Sequence, residues 1–197
     1  MDEWLARKDA LEAKLKPDRI RATLAFAGLY QMTHQSIKEA VLDEVRQFYF
    51  CGFNEKGFLY DEERYEERVL DLAPGDRFRA SLRWLVDSGA ITKAQADRLD
   101  QIRDHRHELA HELMKYVIDP DFEPDVNLFT DALQILAAIR RYWTEIEIGI
   151  GTFEDHPDVT ADDVAPLSLH VLQMCIDAYL AGLPSADSGA SSPEPTS

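Results

Sequence analysis

A chain of 197 residues, 45% of them apolar and 10% aromatic, is long enough to close one sizeable core and short for two. With 37 acidic side chains against 21 basic ones the formal charge is −16, which argues against a broad basic footprint for duplex nucleic acid. Cys51 and Cys175 stand alone, so no disulfide framework is expected. The acidic start Met1-Asp2-Glu3-Trp4 lacks the build of a signal peptide, and no apolar run reaches the length of a membrane span. A cytoplasmic protein with no membrane contact is the expectation.

Residues 2–16 place Trp4, Leu11 and Leu15 at helical spacing, and Pro17 ends that segment. Asp18 is expected to cap a long second helix whose stripe runs Ile20, Leu24, Ala27, Ile37, Val41, Val45 and Phe48. Gln31 and His34 interrupt that stripe, which suits either a core histidine held by a hydrogen bond or the lining of a site. Residues 51–60, with two glycines and an asparagine, read as a loop. Residues 61–73 read as a short charged helix with Tyr65, Val69 and Leu72 inward. Asp76 then caps a helix over 77–88 that buries Phe78, Leu82 and Leu85, and its Arg77, Arg79 and Arg83 would pair with the acidic helix before it.

Thr92-Lys93-Ala94-Gln95 has the form of a capping box, and no proline or glycine follows until Pro120. One helix over 93–117 is therefore expected, with Leu99, Ile102, Leu109, Ala110, Leu113 and Val117 on its apolar face. Residues 126–148 form a further long helix with Phe129, Leu133, Leu136, Trp143 and Ile146 inward, and Arg140-Arg141 as a snorkelling surface pair. The last helix, over 166–181, would pack through Leu167, Val171, Met174 and Ala178. No strand pattern stands out. The expectation is an all-α, antiparallel bundle of five to six helices in one domain over 1–184, with a disordered Ser- and Pro-rich tail over 185–197.

The chemistry concentrates in the 93–117 helix, which holds three of the six histidines. Arg106 falls in the middle of the apolar face, where its permanent charge needs an acidic partner or a subunit interface. His107 and His111 lie one turn apart on the flank, with Arg103 beside them. On an ideal helix Arg106 and His111 are ~140° apart, so one helix does not bring them together, whereas two copies facing each other would. Two motifs overlap here. His107-Glu108-Leu109-Ala110-His111 has the H-E-x-x-H form of a zinc-dependent hydrolase, but Met114 and Val117 stand where the longer zinc motif continues with a glycine and a histidine, and only Glu145 or Glu147 offers a third ligand.

The other motif is Arg106-His107-Glu108-Leu109-Ala110-His111, which resembles the R-[polar]-x-x-x-H signature of HEPN domains, down to the small residue before the histidine and the acidic one after it. The resemblance covers about a dozen residues in the motif and, through the all-α layout, extends loosely over 18–148. It implies a HEPN-like helical bundle and a metal-independent endoribonuclease of the toxin–antitoxin or phage-defence type, with no cofactor and no metal. It also implies RNA as substrate, a homodimer, and an antitoxin or regulatory partner. Under this resemblance His111 is the general acid/base, because an imidazole titrates near neutrality. Arg106 binds the phosphate and stabilises the transition state. His107 orients the phosphate or moves the second proton, and Arg103 and His34 are auxiliaries. The competing reading is a non-catalytic helical interaction module. There Arg106 is neutralised by Glu39 or Glu44 of the second helix, and His111 is an ordinary hydrogen-bonding residue, while His105 points to solvent.

Overall fold

The structure is a computed structural model that describes residues 2–156 and 158–183, so the tail over 185–197 lies outside the described residues. In chain order it contains α1 (Asp2–Lys14), α2 (Pro17–Gln47), the strands β1 (Phe50–Asn54) and β2 (Gly57–Tyr60), and α3 (Glu62–Arg68) followed by a 3-10 turn at Leu70–Leu72. Next come α4 (Arg77–Asp87), α5 (Lys93–His111), α6 (Leu113–Ile118), α7 (Val126–Gly149) and α8 (Leu167–Ala181). The fold is all-α, with one hairpin as its only sheet among the described residues. None of the described helices is long and apolar enough to cross a membrane.

The axis of the bundle is α2, packed against α4, α5, α7 and α8. Its 31 residues start on Pro17, whose fixed φ suits a first turn and whose missing N–H costs nothing there. Ile37, Ala40, Val41 and Val45 form its inner stripe and meet Leu85 of α4, Ile102 and Leu109 of α5, and Leu136 and Ile139 of α7 in a continuous core. The polar end of Trp143 is satisfied by donating to the Ala40 carbonyl at 3.2 Å, while its ring stacks on Trp84 at 5.9 Å. Helix starts follow local chemistry. The Asp61, Asp76 and Asp125 carboxylates accept backbone N–H groups of their first turns, and Thr92 and Gln95 close the expected capping box.

Several expectations need correction. Residues 50–60 form a hairpin, with Phe53 opposite Phe58, because the turn is built by Gly57 at φ 122° and by the Lys56 N–H donating to the Asn54 side chain. A bulge between Phe50 and Gly52 breaks the strict alternation that would have marked a strand. The 93–117 helix divides at Glu112, which leaves helical geometry at φ −117°, ψ 26° without any proline or glycine. The second piece is tied down from elsewhere: the buried Lys14 ammonium of α1 donates to the Tyr116 and Phe122 carbonyls. Ala110 is exposed, while Leu113 and Val117 are half-buried. Trp4 and Leu11 of α1 and Leu15 just after it are exposed, as are Leu24 of α2 and Phe48 at its C-terminal cap.

The largest reversal is α8. Leu167, Val171, Met174 and Ala178 face solvent, and Leu169, Leu172, Cys175, Ile176 and Tyr179 face the core. A helix apolar on both sides gives periodicity no means of choosing between them. Arg140 is no snorkelling residue either: it is largely buried and ion-paired to Glu44 of α2.

Candidate functional site

Arg106 leaves α5 toward α2 and is half-buried. Its Nε–H donates to Oε1 of Gln31 at 2.6 Å, a contact across 75 residues of chain. Gln31 is neutral, and among the described residues no carboxylate forms an ion pair with Arg106. Glu39 and Glu44, the expected counter-ions, stand eight and thirteen residues beyond Gln31 on α2, roughly 12 and 20 Å along a helix that rises about 1.5 Å per residue, and they meet Gln35 and Arg140 instead. The Arg106 guanidinium therefore has no counter-ion among the described residues.

His34, one turn along α2 from Gln31, lies beside Arg106 and Arg103, with Lys38 a further turn on. Burial pushes the His34 pKa down to about 4, and the positive charges of Arg106, Lys38 and Arg103 push it the same way. No protein hydrogen bond holds this ring among the described residues, so it is not the satisfied core histidine one expects by default. Because its folded pKa lies below the unfolded value of about 6.5, the unfolded chain binds more protons between those limits, and stability falls as pH drops from about 6.5 towards 4. After allowance for partial solvent screening we expect roughly 1–2 kcal/mol over that window. Urea unfolding at pH 7 and pH 5 should show a smaller loss in His34→Gln than in the wild type; equal losses would refute this.

His107 and His111 are exposed and sit together, ring centroids 4.2 Å apart. Going round α5 from Arg106, Arg103 lies at ~60°, His107 at ~100° and His111 at ~140°, a continuous cationic and imidazole strip. The strip contains all three proposed catalytic residues, but the structure does not bring Arg106 and His111 into contact. Arg103 is partly neutralised by Asp100 at 3.0 Å and Asp104 at 3.2 Å.

His105 does not point to solvent. Its Nε2 accepts the Asp125 N–H at 3.0 Å, and its ring lies edge-on to Tyr30 and Tyr116. Burial lowers its pKa against the opposing pull of Asp125 and Glu108, so it is a neutral pin between α5 and the start of α7. Glu108, the base that the zinc motif requires, is turned to Lys115 at 3.6 Å and to the Tyr116 hydroxyl. Among the described residues no three His, Cys, Asp or Glu side chains cluster to hold a metal ion, so the imidazole pair lacks a third ligand within the protomer.

Lys38 escaped sequence reasoning, and Gln31 was singled out with His34 as a possible lining but without its partner. Gln31 was visible only as a gap in a stripe, and its role as acceptor for Arg106 depends on how α2 and α5 cross. Lys38 was legible in principle, since it follows His34 at one helical turn. Comparison with family models, with curated proteins and with solved structures finds no match to this chain.

Proposed function

We propose that this protein is a metal-independent endoribonuclease of the HEPN type. The observation that carries the reading is Arg106, a half-buried guanidinium met by a neutral amide and, among the described residues, by no carboxylate. A structural arginine in a chain of charge −16 would be expected to find one of its 37 carboxylates. A phosphate-binding arginine instead needs an open electrostatic valence and a held orientation, and Gln31 gives the second without consuming the first.

The reaction assigned to the strip is transesterification. The 2′-hydroxyl gives its proton to an imidazole and its oxygen attacks the adjacent phosphorus. The bond to the 5′-oxygen breaks, that oxygen takes a proton from the second imidazole, and the products are a 2′,3′-cyclic phosphate and a free 5′-hydroxyl. His111 is the acid/base group, His107 its partner, and Arg106 carries the charge that grows on the phosphate. Since Arg106 and His111 diverge on one helix, a two-fold pair of chains would let the groups of both helices flank one phosphate. A toxin or phage-defence role, restrained by a partner protein, follows from the family resemblance.

The test is incubation of the purified full chain with a panel of single-stranded and structured RNAs in excess EDTA. Cleavage that leaves a 2′,3′-cyclic phosphate supports the reading, and so does growth arrest on expression that is absent in an Arg106→Ala chain. Intact RNA throughout, with no effect on growth, refutes it. The second reading, a non-catalytic interaction module, is favoured by the hairpin, whose Phe53 and Phe58 are 80% and 72% exposed.

A further inference from the structure

An exposed stripe of α8 is apolar along its length, flanked by the exposed polar residues His170, Gln173 and Asp177. Leu167, Val171, Met174 and Ala178 recur at helical spacing on the face opposite the core residues Leu172 and Ile176, with Leu167 76%, Val171 43% and Met174 58% exposed. Beside it, α2 presents Leu24, Gly28 and Met32, with Leu24 47% and Met32 40% exposed. Between the two helices runs an open groove lined by Gln31, Met32, Gln35, Leu167, Ser168 and Val171. A helix with apolar stripes on two sides is ordinarily covered on both. Here one stripe is covered by the bundle and the other by nothing among the described residues.

Charge selects what covers it. The chain as a whole carries −16, yet among the 15 residues of α8 the single formally charged side chain is Asp177, and Gln173 already donates to it at 2.8 Å. The groove residues contributed by both helices are uncharged. A basic partner would be drawn to the acidic remainder of the surface, not to this face. A second copy of a strongly acidic chain can approach closely only where carboxylates are absent, and this face meets that condition. The five large apolar side chains leave on the order of 100 Å² each, so a two-fold pairing with its polar rim would cover roughly 1,000–1,200 Å², the lower end of a specific interface.

We infer that the α2–α8 face is the seam of a two-fold homodimer, each copy laying its Leu167–Val171–Met174 stripe against the partner's. The seam borders the candidate site. Gln31 lines the groove and also holds Arg106, while His34 and Lys38 lie on the side of α2 that faces α5. The consequence for catalysis rests on the ribonuclease reading; the seam itself does not.

The test is sedimentation equilibrium of the full chain at micromolar concentration. The wild type should run as two 22.5 kDa chains. Val171→Asp and Met174→Asp should each raise the dimer dissociation constant at least 100-fold and give monomers, with unchanged helical circular dichroism because both side chains are already exposed. Phe53→Asp on the hairpin should leave the dimer intact. A monomeric wild type, a dimer that survives both α8 substitutions, or one lost only through Phe53→Asp would overturn the proposal. A wild-type dimer that Val171→Asp dissociates but that cleaves no RNA would keep the seam and remove the nuclease.

Discussion

His111→Ala is expected to lower the rate of RNA cleavage by about 10²–10⁴-fold, the usual worth of a positioned proton-transfer group, while leaving the fold intact. The second half of that expectation rests on exposure: His111 is exposed, with its ring 4.2 Å from that of the equally exposed His107, and a surface substitution of this kind stays within about 0.5 kcal/mol. Arg106 should divide into two effects. Arg106→Lys keeps a charge but loses the planar fork that both Gln31 and a phosphate require, so it should fall at least tenfold in rate. Arg106→Gln, which removes the charge, should reach the level of His111→Ala with little loss of stability, since no buried carboxylate is left unpaired. His107→Ala, which removes the second proton-transfer group, should also fall by about 10²-fold or more. Single-turnover cleavage of a labelled RNA, with thermal denaturation in parallel, reads all four variants. A His111→Ala protein that cleaves at the wild-type rate would remove the imidazole from the mechanism.

What was legible in the chain was local. The capping box at Thr92 and Gln95, the cap at Asp76, and the inward Tyr65, Val69, Leu82 and Leu85 all depend on residues within a turn or two of each other. What failed was tertiary. The exposed side of α8 was misassigned because both faces are apolar, and the hairpin was hidden by one extra residue at its bulge. His105 was placed in solvent because nothing near it in sequence announces Tyr30 or the Asp125 N–H. The site shows the same division. That Arg106 is out of place on an apolar face was readable from helical spacing, as was the pairing of His107 with His111. That Arg106 meets an amide and not an acid was not readable, because the crossing of α2 and α5 sets it beside Gln31, well short of Glu39 and Glu44 along α2.

The ion pair that claims Glu44 should be the costliest polar contact in the fold to break. Arg140 is 12% exposed and Glu44 29%, and the second carboxylate oxygen of Glu44 is buried without a partner. Burial lowers the Arg140 pKa from its ordinary value, with Glu39 and Glu147 pulling against it, so the guanidinium already stands at some desolvation cost that nearby acids offset. Glu44→Ala removes the closest of them. A fully buried pair broken from one side costs about 3–5 kcal/mol, and the remaining pull of Glu39 and Glu147 reduces the expectation here to about 2–4 kcal/mol. For a chain of this length that corresponds to a fall in Tm of roughly 5–12 °C. The double replacement Glu44→Leu with Arg140→Leu should recover most of the loss, because neither charge then remains to be solvated. Glu145→Ala, which breaks the exposed contact with Arg141, should stay within about 0.5 kcal/mol. A Glu44→Ala chain as stable as the Glu145→Ala control would show that Arg140 finds solvent or another acid at no cost.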